Sequence, residues 1–223
     1  MISIERQIQL LVNISTKLGK KITVYAIGGT AMMFQGFKEV TLDIDLVFDK
    51  EEDKLCFKKA AMELGYKSLD PILIYGGRKD IPEMLKLDDE RFDLFVHNVI
   101  DFVFSDSMKN RAATTTHQFG DTLILKIANP HDIILMKCAT DRIKDKDDAR
   151  KIIESIKIDW DIIITEAKNQ ILLNKLTALF DLTCFLDDLK NEMHLPIPQE
   201  VLEKLYQIVE KNAHEKMKSP HEH

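Results

Sequence analysis

The sequence predicts an α/β fold (α+β) in which a mixed β-sheet with flanking helices is followed by a helical C-terminal region. Two observations support this prediction. Short runs rich in β-branched and aromatic residues alternate with helical segments through the first 128 residues, and only helical periodicity follows. We therefore expect a sheet-containing domain over residues 1–128, helices over 129–212 and a disordered polar tail over 213–223.

The first elements are defined by periodicity and glycine. Apolar residues at helical spacing predict a helix up to about Leu18, and the run Ile22–Ile27 predicts a strand. Gly28 and Gly29 end this strand because glycine adopts backbone conformations that other residues avoid. A short helix should then cover 31–35, with its first free N–H groups close to the glycines.

The sequence of the rest of the first domain predicts further strands and one longer helix. These elements are a strand over 42–48, a helix over 51–64, a short strand over 72–75, a surface loop or flap over 76–90, and two hairpins over 92–104 and 114–127.

The C-terminal part reads as consecutive helices. Asn129 is a favourable N-cap and Pro130 a favourable first residue for a helix that should carry residues 137–142. Further apolar periodicity predicts helices over 149–156, 162–173, 176–193 and 201–209.

Composition restricts the functional classes. The 223-residue chain carries a formal net charge of −6, which argues against broad non-specific nucleic-acid binding. We expect a cytoplasmic protein without a membrane partner, because no apolar run reaches the roughly 20 residues that a membrane span needs. Three widely spaced cysteines predict reduced core thiols rather than disulfides or a zinc site.

Two carboxylates and two glycines form the most informative motif. On a strand, Asp43 and Asp45 point to the same face, and their mutual repulsion is relieved by a cation between them. Oxygen ligands that leave room for phosphates suit Mg²⁺ (or Mn²⁺), and the turn at Gly28 and Gly29 is suited to a phosphate. The alternatives are an ordinary turn and a solvated strand face.

A third carboxylate should complete such a site. We favour Asp101 because it interrupts the apolar strand Val99–Phe104, where an uncompensated charge is unfavourable. Asp93, on the preceding strand, is the alternative.

These motifs resemble a known family. The pattern Gly28-Gly29-x-Ala31, Gly36 and Thr41-x-Asp43-Ile44-Asp45-Leu46 is similar to the signature of the DNA polymerase β-like nucleotidyltransferase superfamily, in particular its minimal, AbiEii-toxin-like branch. A second block, Lys137 to Asp148, resembles the Lys…Arg-x-Lys-Asp-x-x-Asp helix of that branch. The resemblance covers about two thirds of the chain.

The resemblance implies a nucleotidyltransferase. It would move a nucleoside monophosphate from an NTP to a hydroxyl of an RNA (tRNA) or protein acceptor, with a cognate antitoxin as partner. Small-molecule acceptors such as aminoglycosides belong to related branches and stay open. Asp43, Asp45 and Asp101 would be the catalytic and metal-binding residues, and the nucleotide would be bound by Gly28, Gly29, Thr30, Lys137 and Lys144.

The downstream block has two interpretations. Helical spacing would place Lys137, Asp141, Lys144 and Asp148 on one stripe. That stripe could direct a lysine at the triphosphate, or it could be a surface with i,i+4 ion pairs.

One departure from the resemblance supports a different class of function. The related proteins usually carry Arg two residues before the Thr of the Thr-x-Asp-x-Asp element, where this chain has Glu39 with Lys38 beside it. Lys does not reproduce the bidentate contacts of Arg. The alternative is therefore a catalytically weak binding module for RNA or a protein partner, which would need no Mg²⁺ at Asp43 and Asp45.

Overall fold

The computed structural model describes residues 1–76, 79–140 and 142–218. Within these ranges the strands are β1 (Ile2–Ser3), β2 (Ile22–Ala26), β3 (Val40–Thr41), β4 (Ile44–Phe48), β5 (Lys67–Leu69), β6 (Glu83–Leu87), β7 (Glu90–Val96), β8 (Asn98–Val99), β9 (Phe102–Val103), β10 (Thr116–Phe119) and β11 (Leu123–Ile127). The helices are α1 (Ile4–Ser15), α2 (Gly28–Phe34), α3 (Glu51–Glu63), α4 (Ile72–Tyr75), α5 (Asp106–Ala112), α6 (Pro130–Lys137), α7 (Ile143–Ser155), α8 (Trp160–Leu172), α9 (Leu176–Asn191) and α10 (Gln199–Lys218).

The predicted fold class is confirmed: the structure is α/β with a mixed sheet and a helical C-terminal region. The chain divides into two compact units, Met1–Ile133 and Ile134–His223, and the second is described up to Lys218. The division falls inside α6, whereas the boundary expected from the sequence, 128/129, lies just before this helix.

The first unit is organised by one mixed sheet. Its main strand order is β10-β11-β2-β4-β7-β6-β5, and β8 and β9 extend from β7. The pairs β11/β2 and β4/β7 are parallel and the other pairs are antiparallel. A separate two-stranded pair joins β1 to β3.

The core of this unit lies between the central strands and α3. Phe57 of α3 is fully buried, and its ring contacts Phe48 of β4 and Phe92 of β7, with centroids 5.5 and 5.3 Å away. Because these rings pack across neighbouring strands, α3 holds β4 and β7 side by side. This parallel pair carries the candidate site.

Two predicted segments of this unit differ from the structure. Residues 72–75 form α4 rather than a strand, because the Asp70 carboxylate accepts a hydrogen bond from the Ile72 N–H (2.9 Å) and Pro71 suits the start of a helix. The loop expected over 76–90 contains β6, which pairs with β7 through a tight turn at Asp88. Residues 77 and 78 of that loop lie outside the described residues.

One of the two predicted hairpins is confirmed. β10 pairs with β11 as expected. The region after β7 is more finely divided than predicted: β7 turns into β8 at His97, and β8 pairs with β9 across Ile100 and Asp101.

The second unit contains α7 to α10 and the end of α6. The single helix expected to carry residues 137–142 is wrong, since α6 ends at Lys137 and α7 begins at Ile143. α10 continues through 213–218, so the tail expected from 213 onward begins as helix. No described helix is long and apolar enough to cross a membrane.

Candidate active site

Three carboxylates meet at one end of the parallel pair β4/β7. One oxygen from each of Asp43, Asp45 and Asp93 lies within 4.8 Å of the others; we call these three residues the carboxylate cluster. The cluster follows from strand register, because Asp45 is directly opposite Asp93 and Asp43 precedes the first residue of β4. Period-two alternation then returns Asp43 to the face of Asp45, as predicted from the sequence.

Backbone and hydroxyl contacts hold the strand that carries two of these residues. The Asp45 N–H donates to the Thr30 hydroxyl (3.0 Å), and the Ile27 N–H donates to the Asp45 carbonyl (3.2 Å). The Thr41 hydroxyl donates to Asp43 Oδ1 at 3.4 Å. Thr30, predicted to bind nucleotide, is fully buried, so its hydroxyl supports the Asp45 strand.

Close packing against Asp45 and Thr41 requires glycine at positions 28 and 29. Gly28 has a φ of +53°, and a Cβ there would lie 2.6 Å from Asp45 Oδ2. A Cβ on Gly29 would lie 2.5 Å from the Thr41 hydroxyl oxygen. The side chains of Asp45 in β4 and Thr41 in β3 therefore fill the space that the two glycines leave open.

Asp93 is the most deeply buried member of the cluster. It is fully buried, and burial raises the pKa of its carboxyl; the neighbouring Asp43 adds to this rise, while the positive charge of Arg91 opposes it. Both oxygens accept hydrogen bonds, Oδ1 from Arg91 Nε at 2.8 Å and Oδ2 from the Tyr75 hydroxyl at 2.7 Å.

Arg91 links two carboxylates of the cluster. Its Nη2 contacts Asp43, and its Nε contacts Asp93. Because Arg91 and Asp93 are two apart on β7, their side chains share one face of the sheet. The guanidinium thus supplies positive charge where like charges would otherwise repel.

Tyr75 approaches the cluster from α4. Burial, followed by the charges of Asp45, Asp93 and Asp43, raises the pKa of its phenol far above the ordinary range. The phenol therefore stays protonated and acts as a hydrogen-bond donor to Asp93.

Asp101, the expected third carboxylate, lies outside the carboxylate cluster. Asp101 lies in the turn between β8 and β9 and does not belong to the cluster formed by the described residues, whereas its alternative Asp93 does. The physical reason is the parallel pairing of β4 with β7, which joins strands far apart in the sequence.

Sequence reasoning missed Arg91 and Tyr75. The Arg91-x-Asp93 spacing within a strand could have indicated the first, since alternation puts both side chains on one face. For Tyr75 the sequence carried no signal, because its contact depends on how α4 folds back.

The predicted lysines lie on separate helices of the second unit. Lys137, at the end of α6, has a side chain that is 10% exposed, and its Nζ contacts Asp145 Oδ1 (2.8 Å) and Asp148 Oδ2 (2.7 Å). Lys144 is an exposed residue of α7. The common stripe is therefore wrong, and its member Asp141 lies outside the described residues.

The contacts of Lys137 form a buried ionic network. Burial favours the protonated carboxyl of Asp145, but the charge of Lys137 and hydrogen bonds from Lys137, Thr140 and Arg142 outweigh it and lower the pKa of Asp145. For Lys137, burial opposes the charged form, yet the charges of Asp145 and Asp148 prevail and raise its pKa. These opposite shifts identify a mutually stabilised ion pair.

The cluster suits a divalent cation. Three carboxylates supply the hard oxygen ligands that Mg²⁺ and Mn²⁺ prefer, and the fully buried Asp93 needs positive charge nearby. The α/β unit thus carries an acidic site near its central strands, and this site is a candidate for binding a divalent cation.

Comparisons with known proteins find similarity to solved structures. No family model and no curated protein matches it. The crystal structure of ANT(2″)-Ia in complex with adenylyl-2″-tobramycin is similar at 15% identity and a TM-score of 0.42, over 67% of this chain and 88% of that chain. The solution structure of the antibiotic-resistance factor ANT(2″)-Ia is similar at 14% identity and a TM-score of 0.42, over 67% of this chain and 83% of that chain.

We predict that Gly28→Ala disrupts the cluster more than Gly36→Ala does. Both glycines have positive φ values, +53° and +78°, so both substitutions introduce backbone strain of roughly 1–2 kcal/mol. Only at position 28 does the added Cβ meet a neighbour, Asp45, since nothing lies within 4 Å at position 36. Thermal unfolding and Mg²⁺ titration of both variants measure the difference. Equal losses of stability and equal Mg²⁺ responses would contradict the packing explanation.

We also predict that Lys137→Met destabilises the protein by about 3–5 kcal/mol at neutral pH, because it leaves Asp145 and Asp148 buried without their lysine. The loss should shrink as the pH falls towards 3.8, the ordinary pKa of an aspartate carboxyl, because the uncompensated carboxyls take up protons in the folded variant. In the wild type, the contribution of Asp145 persists to lower pH and is lost as the pH falls through its lowered folded-state pKa.

Urea denaturation at several pH values measures this effect. The exposed Lys144→Met is the matched control and should change the free energy of unfolding by no more than about 0.5 kcal/mol. A stable Lys137→Met protein with weakened NTP binding would instead support the phosphate-binding interpretation.

Proposed function

We propose that the protein is a metal-dependent nucleotidyltransferase, which moves a nucleoside monophosphate from an NTP to an acceptor hydroxyl and releases pyrophosphate. The observation that carries this proposal is the cluster of Asp43, Asp45 and Asp93 beside the Gly28 turn. In this combination, the carboxylates proposed to bind the cation lie next to the first turn of α2. The first N–H groups of a helix have no carbonyl within the helix to which they can donate.

Asp43, Asp45 and Asp93 would hold Mg²⁺ or Mn²⁺. The bound ions supply charge neutralisation at the attacking and leaving oxygens of the transferred phosphoryl group. Asp93 replaces Asp101 in this assignment because it belongs to the cluster.

The remaining residues would bind and orient the nucleotide. The backbone of Gly28 and Gly29 is proposed to face the triphosphate. The Thr30 hydroxyl accepts a hydrogen bond from the Asp45 N–H and so holds the Asp45 backbone in place. Arg91 would hold the cluster carboxylates in place, because it contacts both Asp43 and Asp93. The charge of Lys137 is matched by Asp145 and Asp148, and Lys144 is exposed, so nucleotide binding by either lysine stays a prediction from the sequence.

The acceptor class rests on the sequence resemblance. It favours a hydroxyl of tRNA or of a protein, in a toxin–antitoxin pair with a cognate antitoxin. Transfer of label from an α-labelled NTP to tRNA, to protein or to an aminoglycoside such as tobramycin tests the three classes side by side.

A second candidate, a binding module of the same fold, is favoured by two observations. Glu39 stands where the related proteins usually carry Arg, and Arg91 neutralises Asp43 and Asp93 without a metal. Such a module would bind its partner equally well with and without Mg²⁺.

The metal assignment predicts different outcomes for Asp93→Asn and Asp101→Asn. Mg²⁺ at about 100 times its dissociation constant should stabilise the wild type by about 2.7 kcal/mol through mass action. Asp93→Asn and Asp45→Asn should lose this response and Mg²⁺-dependent NTP binding, whereas Asp101→Asn should keep both. Thermal shift and equilibrium binding of NTP measure these outcomes. If Asp101→Asn loses the Mg²⁺ response and Asp93→Asn keeps it, the metal ligands are instead Asp43, Asp45 and Asp101, as the sequence predicted.

A further prediction concerns Arg91→Ala. Removing the guanidinium leaves the buried Asp93 without its cation, so stability in the absence of Mg²⁺ should fall by about 3–5 kcal/mol. Mg²⁺ should then raise the melting temperature more than in the wild type, since it replaces the missing charge. Arg150→Ala, which removes a half-exposed i,i+3 pair with Asp147, is the control and should show the wild-type response. An unaltered Mg²⁺ response in Arg91→Ala would place the metal elsewhere.

A further inference from the structure

We propose that Tyr75 is a site of self-nucleotidylation: its phenolic hydroxyl occupies the place of the acceptor hydroxyl and receives a nucleoside monophosphate when no other acceptor is present. This inference rests on the proposed function. It adds a covalent modification of the protein itself to that activity.

The first observation is the contact between Tyr75 and the cluster. The Tyr75 hydroxyl donates to Asp93 Oδ2 at 2.7 Å. An acceptor hydroxyl must likewise lie within hydrogen-bond reach of the group that takes its proton. Arg91 donates to both oxygens of Asp93, from Nε to Oδ1 at 2.8 Å and from Nη2 to Oδ2 at 3.1 Å, and the Tyr75 hydroxyl makes the shorter contact with Oδ2.

The second observation is how α4 presents this phenol. The helix is short, and its Tyr75 N–H donates to the Pro71 carbonyl at 2.9 Å, which fixes the turn. In the sequence, α4 lies between β5 and β6. Ile72 and Ile74 are 61% and 46% exposed, whereas the Tyr75 hydroxyl contacts Asp93 of the cluster. The segment therefore exposes apolar side chains and directs its polar group inward.

Tyr75 differs from two other described tyrosines in the carboxylate to which its hydroxyl donates. Tyr25 donates to Asp49 at 3.2 Å, and Tyr66 donates to Glu90 at 2.8 Å. Neither acceptor belongs to the carboxylate cluster. Burial and a carboxylate partner are thus common to all three tyrosines, and proximity to the proposed transfer chemistry distinguishes Tyr75.

Thr41 is the competing hydroxyl. It donates to Asp43 Oδ1 at 3.4 Å, but its oxygen also lies against Gly29, where a Cβ would approach to 2.5 Å. This packing fixes the Thr41 hydroxyl between β3 and α2. Tyr75 makes the shorter contact, and it does so from a four-residue helix.

The proposed step balances without a further reactant. The phenolic oxygen forms a bond to the α-phosphorus of the NTP, and the bond from that phosphorus to the oxygen bridging to the β-phosphorus breaks. Pyrophosphate leaves with the bonding electron pair. The phenolic proton passes to Asp93 Oδ2 and from there to solvent. The product is a phosphodiester between Tyr75 and the 5′ oxygen of the nucleoside.

Self-modification should be limited to one event per chain. The attached nucleotide adds a negative phosphodiester next to Asp93 and fills the space in front of the cluster, so a second NTP is excluded. An external acceptor hydroxyl competes with Tyr75 for the same nucleotide.

The test is incubation of the full chain with Mg²⁺ and each of the four α-labelled NTPs, without any acceptor. Intact mass and peptide mapping should show one nucleoside monophosphate on the wild type, located at Tyr75. Tyr75→Phe should lose the label to background, and Tyr66→Phe, the matched removal of a buried phenol from a carboxylate, should keep it. Mg²⁺-dependent NTP binding is measured in parallel for each protein and for Asp45→Asn.

The outcomes separate this inference from the proposed function. Wild-type protein that binds NTP with Mg²⁺, loses that binding in Asp45→Asn and carries no label overturns self-nucleotidylation and leaves the proposed function intact. Label mapped to Thr41 or retained in Tyr75→Phe also overturns it. Absence of Mg²⁺-dependent NTP binding in the wild type overturns both.

Discussion

Repulsion among three carboxylates, and its compensation by Arg91, is the constraint on which the first unit depends. β4 and β7 can pair in parallel with Asp45 opposite Asp93 only if their charges are balanced. Arg91 contributes positive charge from the same face of β7, and Tyr75 donates a further hydrogen bond to Asp93 Oδ2. The same pairing places Phe92 against Phe57, so charge compensation at the strand ends and ring packing in the core support one register.

The parts of the fold encoded by local pattern were predictable from the sequence. The strand before Gly28, the Asp45 strand, α3 and the β10/β11 hairpin follow from periodicity and turn residues. The carboxylate pair and its apposition to the glycines belong to this class, because both lie within about 20 residues of chain. Local reasoning failed at α4, where a side-chain cap and a proline decide between strand and helix for a short apolar run.

The parts that depend on long-range pairing were not predictable. Asp93 and Asp101 are both acidic residues in β-rich runs, and only the order of strands in the sheet selects Asp93. Similarly, the downstream Lys and Asp residues suggest one helical stripe, but the break between α6 and α7 folds Lys137 onto Asp145 and Asp148. Residue spacing alone predicts exposed ion pairs on a helix surface here, whereas the structure has an ion pair between Lys137 and two buried carboxylates.

The close approach of Gly28 and Gly29 to their neighbours has a consequence for how this sequence can vary. The hydrogen atom at position 28 faces the carboxylate at position 45, and that at position 29 faces the hydroxyl at position 41. A larger residue in the turn is therefore compatible with this backbone only when the opposing side chain is shortened. Among descendants of this chain, positions 28 and 45 and positions 29 and 41 should change in concert. A lineage that abandons the acidic residue at 45 loses the steric conflict at 28, while the φ of +53° continues to favour glycine there.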